Sequence, residues 1–175
     1  MLFNRLRPFA FSLLIALVLL PSCLRDEEVY SHSVVVPTSP WTAADTLFFP
    51  LRVNEEPDVE HRIRTDSVYS LFLGLRYTSR FAFSALGFGF GLQRLDAAGH
   101  PDSLLFARPR CFCPVRDGSG ACLGDTWGSL IQLRVPDRIG EVRFPAPADY
   151  RFYLVPLPSD TLPLCGVHSV TFTLR

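Results

Sequence analysis

Residues 86–93 read LGFGFGLQ, and this stretch indicates the fold of the chain more clearly than any other. Its apolar positions are Leu86, Phe88, Phe90 and Leu92. They alternate with glycines and Gln93, and strict alternation is typical of a β-strand that buries one face. The glycines would leave the other face flat, so a bulky group should pack closely against it. That group would be either an aromatic side chain of the facing layer or a ligand, and packing is the favoured interpretation.

The same alternation recurs along the rest of the chain. The predicted further strands are residues 45–53, 68–78, 103–107, 127–135, 150–155 and 167–174. Segments rich in Pro, Gly and Asp separate them, as expected for turns. No stretch shows the 3.6-residue period of a helix. About eight short strands at this spacing predict an all-β fold, a single antiparallel β-sandwich or jelly-roll-like domain.

The composition fits one such domain. The chain has 175 residues, of which 48% are hydrophobic, so it can form a core. Seventeen basic residues balance 17 acidic ones, for a formal net charge of zero. Without excess positive charge there is little long-range attraction for phosphate backbones, which argues against nucleic acid as a partner.

The N-terminus has the features of a bacterial export signal. Arg5 and Arg7 precede an apolar run at residues 9–20, which is too short to span a bilayer and is typical of a secretory signal peptide. The run ends in Leu20-Pro21-Ser22-Cys23, which resembles a lipobox. This pattern predicts three parts: a lipoprotein signal peptide at 1–22, a lipid-anchored tether at 23–33 and a β-sandwich domain at 34–175.

Cys23 is therefore the predicted lipid attachment site. Its thiol would take a diacylglycerol and its freed amine an acyl chain, anchoring the protein to a membrane of the bacterial envelope, with the outer membrane favoured. The alternative is ordinary secretion, with Cys23 as a disulfide partner. Acidic residues 26–28 follow the anchor and resemble a signal for export to the outer leaflet, although a solvated run of charge explains them equally well.

Four further cysteines form an even set in a chain routed to an oxidising compartment. They are Cys111, Cys113, Cys122 and Cys165. We expect two disulfides among them, with a bond between Cys111 and Cys113 disfavoured because it would close a very tight ring. A zinc site is the alternative, but the spacing lacks the repeated pairs of structural zinc sites.

No catalytic constellation or cofactor motif stands out. His32, His61, His100 and His168 are scattered, and His168 follows the apolar alternation of the last strand, which predicts a core histidine. The glycines at 87–91 lack the helix that a phosphate loop requires. The segment 117–120 is predicted to be a turn rather than a calcium loop. We expect no enzyme activity, no metal and no cofactor apart from the covalent lipid.

The order of segments in residues 23–175 resembles the gliding-motility-associated lipoprotein GldH family. The most specific stretch is Leu75-Arg76-Tyr77-Thr78. Other matching segments are 29–31, 40–41, 45–48, 81–86, 101–104, 117–120, 142–145, 150–152, 160–162 and 166–167. Cys122 departs from the family pattern, because an aromatic residue is usual at that position.

The resemblance implies a non-enzymatic envelope lipoprotein, an interaction or assembly component of the motility or associated secretion machinery. Its expected partners are the membrane and other envelope proteins of that complex. The alternative function is a glycan- or peptidoglycan-binding module, which needs an exposed aromatic platform from Trp41, Trp127 or Tyr77. An envelope hydrolase is a weaker third option.

Overall fold

The computed structural model describes residues 28–37, 39–56, 62–157 and 164–175, which form β-strands and no helix. The strands are β1 (Tyr30–Val35), β2 (Leu47–Val53), β3 (Tyr69–Thr78), β4 (Ala85–Leu95), β5 (Pro101–Pro114), β6 (Asp125–Trp127), β7 (Leu130–Arg134), β8 (Gly140–Val142), β9 (Ala148–Pro156) and β10 (Val167–Leu174). The predicted signal peptide, residues 23–27 of the predicted tether, including Cys23, and His61 lie outside the described residues.

The strands form two antiparallel sheets that pack face to face as a β-sandwich. The six-stranded sheet has the order β1-β10-β3-β7-β6, and β8 pairs with the N-terminal part of β3. The four-stranded sheet has the order β2-β9-β4-β5. The predicted all-β, antiparallel, single-domain sandwich is confirmed.

Alternating residues of both sheets meet in one core. Leu71, Leu73 and Leu75 of β3 are buried on the inner face of the six-stranded sheet. The inner face of β4 carries Leu86, Phe88, Phe90 and Leu92, all buried as the alternation predicts. Burying each such side chain contributes about 1.5–3 kcal/mol, so these two strands account for a large share of the hydrophobic stabilisation.

Aromatic rings join the two sheets at the centre of the sandwich. Phe152 of β9 and Phe172 of β10 have ring centroids 4.1 Å apart. Phe49 of β2 lies 5.7 Å from Phe172, also centroid to centroid. Phe106 of β5 contacts both Phe90 and Phe152 at about 6 Å, a normal distance for tilted and edge-to-face pairs. The many phenylalanines therefore fill the space between the sheets.

The first strand begins before residue 34, the predicted start of the domain. β1 pairs with β10 along its length, from Tyr30 opposite Leu174 to Val35 opposite Ser169. Its burial pattern shows no clean alternation, because it is an edge strand with few inward side chains. Because a strand is visible in a sequence through its alternation, β1 has no clear signal in the sequence.

Two other segments also differ from the sequence-based expectation. β5 runs to Pro114, well beyond residue 107, because it continues pairing with β4 through register shifts. The predicted strand 127–135 is a hairpin of β6 and β7 instead. Gly128, at a φ of +62°, makes its turn, and glycine adopts that backbone conformation readily.

Candidate functional surfaces

Part of the outer side of the four-stranded sheet is apolar, and we call this part the apolar face. It comprises Phe48 of β2, Tyr153 and Val155 of β9, Leu157, Phe112 of β5 and Gly87, Gly89 and Gly91 of β4. Phe48 is 44% exposed and Phe112 is 69% exposed. Large exposed apolar side chains grouped on one face are typical of a surface that contacts another molecule.

The glycines of β4 form the floor of the apolar face. Gly91 lies opposite Tyr153 in the sheet, and a Cβ there would come within 2.7 Å of both the Tyr153 ring and the Phe106 carbonyl oxygen. A Cβ at Gly87 would touch Phe112 and Leu157, each at 3.2 Å. The predicted close approach is confirmed, but the bulky groups come from neighbouring positions on the same side of the sheet and not from the facing layer.

The outer side of the six-stranded sheet carries a different surface, which we call the polar groove. It has a volume of about 630 Å³. The side chains that define it are Ser31 and Ser33 of β1, Thr171 and Thr173 of β10, Arg76 of β3 and Gln132 and Arg134 of β7. Gly74 lies in β3 between Thr171 and Arg134, and its missing side chain deepens the middle of the groove.

A second hollow continues the polar groove toward the sheet edge. Its volume is about 370 Å³, and its lining consists of Trp127, Leu130, Arg76 and Gln132. The last two residues also line the polar groove, so the two spaces are contiguous. The Trp127 indole is 72% exposed, the largest value among the exposed apolar side chains of the described residues.

Of the three aromatic residues suggested for a glycan platform, the structure exposes one. Trp41 is 2% exposed, and its Nε1 donates a hydrogen bond to the Asp45 carbonyl oxygen at 2.8 Å. Tyr77 is also buried, at 1% exposure. Trp127 is therefore the one of the three that could stack on a ligand. Trp127 lies in a short strand at a sheet edge, and nothing in the sequence distinguishes this exposed tryptophan from the buried Trp41.

The prediction of disulfides is not supported, because all four described cysteines are free thiols. Cys111 and Cys113 lie two positions apart in β5, opposite Phe88 and Leu86, so β4 holds them in the strand. Cys122 sits beside Arg116, whose Nη1 lies 3.1 Å from the Cys122 Sγ. Cys165 is exposed, next to a bridge between Leu164 and Trp41. These backbone contacts hold the four cysteines in separate positions, and no two of their thiols are joined.

Burial controls the chemistry of the β5 thiols. Desolvation raises the pKa of Cys113 to about 12, and it also raises the pKa of Cys111. Both thiols are therefore protonated at neutral pH, the unreactive form. The zinc alternative has no support either, since no group of three or more potential metal ligands occurs among the described residues.

A buried tyrosine and an arginine organise the loops at the same end of the sandwich. The Tyr77 hydroxyl lies 2.8 Å from the Val115 carbonyl oxygen and 2.6 Å from that of Leu123, so it donates to one or the other. Desolvation raises its pKa to about 12. Arg116 donates to the carbonyl oxygens of Ser79 and Phe81 across the same region. These contacts explain Tyr77 and Arg116 as structural residues.

The three described histidines do not come together. His32 lies on β1 beside Tyr30, and His100 lies in a turn beside Asp96. His168 is exposed, so the prediction of a core histidine was wrong. A register shift between Val167 and Ser169 turns this residue out of the alternation. The hydrolase option therefore has no clustered base among the described residues.

The segment 117–120 is a turn, as predicted. Asp117 Oδ1 accepts hydrogen bonds from the backbone N–H groups of Ser119 and Ala121 and from the Ser119 hydroxyl. These bonds lower the pKa of Asp117, with the Ser119 hydroxyl the largest cause. Because that oxygen is occupied by the chain's own donors, local turn chemistry is enough to explain this aspartate.

In the part of the chain that the structure describes, no helix has the length and apolar content needed to cross a membrane. Comparison with the models of known protein families gives no match, and no curated protein matches this sequence.

Proposed function

We propose that this chain is a lipid-anchored protein of the bacterial cell envelope that acts without catalysis, as an interaction or assembly component of a motility or secretion complex. The observation that carries the proposal is the apolar face, which offers the exposed rings of Phe48 and Phe112 to a protein partner. The export signal and Cys23 support the envelope location, and the resemblance to the GldH family supports the kind of complex.

The apolar face suits protein contact for a physical reason. Phe48 and Phe112 are large apolar side chains that remain exposed, and covering such rings with a partner is favourable in free energy. Arg151 lies over the Phe48 ring, with its guanidinium carbon 4.5 Å from the ring centroid. This cation–π contact places a charge at the rim of the apolar face, as is typical of interfaces with a polar border.

The test is co-purification of the full-length protein after detergent extraction from its own cells, with chemical crosslinking. Phe112→Ser should reduce the recovery of specific envelope partners by about tenfold or more, because truncating a buried interface aromatic costs 2 kcal/mol or more. Val68→Ser is the matched control, since Val68 is 53% exposed but precedes β3 and lies outside the apolar face.

Partners retained by wild type and Val68→Ser but lost by Phe112→Ser support the proposal. Identical recovery with all three proteins removes the apolar face as the interface. A wild-type protein that elutes alone contradicts the assembly role.

A second candidate function is a glycan-binding module of the envelope. The observation that favours it is the exposed Trp127, which lies in a hollow with the polar side chains of Arg76 and Gln132. A flat ring bordered by hydrogen-bonding groups is the arrangement that a sugar needs, since the ring accepts its C–H face and the polar groups bind its hydroxyls.

A further inference from the structure

We infer that the polar groove, together with the Trp127 hollow, binds an acidic glycan whose sugars carry carboxylate groups. This inference rests on the second candidate function and specifies the class of ligand. It concerns a site separate from the apolar face, so the two surfaces can be tested independently.

The groove is long enough for an oligosaccharide. It crosses the six-stranded sheet from β1 through β10, β3 and β7 to β6. Neighbouring strands lie about 4.8 Å apart, so five of them span roughly 19 Å. A ligand in this site would lie across the strands and on the sheet surface, where a peptide that adds a strand to a sheet edge could not pair.

Hydroxyl groups line the β1 and β10 end. Ser33 and Thr171 are paired across the strands with their hydroxyl oxygens 3.1 Å apart, and Ser31 and Thr173 form a similar pair at 3.4 Å. Each hydroxyl can donate and accept, as sugar hydroxyls can. Gly74 is the cross-strand neighbour of Thr171, and the Thr171 side chain packs beside it, 3.3 Å from where a Cβ would lie.

The charges in the middle of the groove are positive. Arg76 and Arg134 lie on adjacent strands, and neither forms an ion pair with an acidic side chain of the described residues. Arg76 has one long hydrogen bond, 3.5 Å from its Nη2 to the Gln132 Oε1. A guanidinium has five donors in a planar fork that matches a carboxylate. Most of these donors are therefore available to a ligand.

The acidic side chains near the groove do not cancel this charge. Glu28 lines the far end, but it is paired with Arg175 at 3.0 Å. Asp125 is the cross-strand partner of Gln132 on β6, at the sheet edge, and it lines neither hollow. Because the whole chain has a net charge of zero, this local excess of arginine is a property of the groove.

Trp127 supplies both the stacking surface and the signal for a test. The chain has two tryptophans, and Trp41 is buried in the core. A ligand that stacks on Trp127 should therefore change the fluorescence of one exposed indole against a constant background. The full-length protein in detergent would be titrated with oligogalacturonate, with the same oligosaccharide fully methyl-esterified, and with poly-glutamate of similar charge.

We expect oligogalacturonate to bind with a blue shift of the emission and the neutral ester to bind about tenfold more weakly, because charge-assisted bidentate bonds to arginine are lost. Arg134→Gln should weaken the binding of oligogalacturonate by about tenfold and leave the binding of the ester unchanged. Trp127→Ala should weaken the binding of both oligosaccharides and remove the blue shift. Arg110→Gln, an exposed arginine of β5, is the control and should change neither affinity.

The other outcomes distinguish the acidic class of the ligand from the glycan-binding function itself. Equal binding of acid and ester, lost in Trp127→Ala, would overturn the acidic class and leave the glycan module standing. Binding of poly-glutamate alone would overturn both the acidic-glycan ligand and the glycan-binding module, and it would indicate an acidic peptide. If a protein with wild-type thermal stability binds none of the three probes, the same two claims are overturned.

Discussion

Gly91 shows how a single residue makes one side of a strand smooth. The space that a side chain would need is already taken by the Tyr153 ring and by the Phe106 carbonyl group. The sequence indicated the flat face, because glycine alternated with phenylalanine. It could not indicate Tyr153 as the neighbour, since that contact depends on the register between β4 and β9.

Gly91→Ala should lower the free energy of unfolding by about 1–3 kcal/mol, because the new methyl group is forced against backbone and ring atoms. Gly118→Ala is the matched control, since a Cβ at Gly118 meets nothing within 4 Å. Urea unfolding of both variants measures the difference. Equal stability of the two would show that β5 and Tyr153 move aside freely.

Cys113 and Cys165 provide a residue-scale test of the thiol environments. Cys165 is exposed and Cys113 is buried with a pKa raised to about 12. Iodoacetamide should therefore alkylate Cys165 in the native protein and leave Cys113 unmodified at pH 8. Mass spectrometry of the digested protein gives the site of modification. Rapid labelling of Cys113 under native conditions would contradict its placement in the core.

The same pKa shift predicts a loss of stability in alkali. The ordinary thiol pKa is 9.0, so above that pH the unfolded chain loses the Cys113 proton while the native state keeps it until about pH 12. The unfolded state then binds fewer protons than the native state, and the free energy of unfolding falls as pH rises from 9 toward 12. Cys113→Ala should remove part of this decline, as urea unfolding at pH 8 and pH 10.5 would show.

At the scale of the elements, one arginine joins two loops that follow different strands. Arg116 donates through Nη2 to the Ser79 and Phe81 carbonyl oxygens and through Nη1 to that of Gly120. The loop after β3 and the turn after β5 are thereby held together. The turn itself was predictable from its Asp-Gly-Ser-Gly sequence, whereas its attachment to residues 79–81 was not, because those residues are distant in the chain.

Arg116→Met should cost about 2 kcal/mol of unfolding free energy, since hydrogen bonds from a charged donor contribute about 1.5–3 kcal/mol and the carbonyl groups lose their partner. It should also speed hydrogen exchange in residues 116–123. Arg110→Met is the control, because Arg110 is exposed on β5. If both variants lose stability equally, the loss reflects the general charge change and not the loop contacts.

At the scale of the whole molecule, the proposed function requires that the sandwich be held at a membrane. Growth of the source cells with radioactive palmitate should label the wild-type protein, and Cys23→Ala should abolish labelling and move the protein to the soluble fraction, because two or more acyl chains are needed for stable anchoring. Cys165→Ala is the control and should stay labelled. Palmitate retained by Cys23→Ala would place the lipid elsewhere.

The sequence by itself determined the fold class, most strands and the inner faces of β3 and β4. It did so because a half-buried strand must alternate, and the period of two is visible in residues 68–78 and 86–93. The tertiary structure alone decided which residues became neighbours and which became exposed. It separated the cysteines, exposed His168 and Trp127, and brought together the Ser, Thr and Arg side chains that form the polar groove. These features depend on strand order and register, in which residues far apart in the chain are brought side by side.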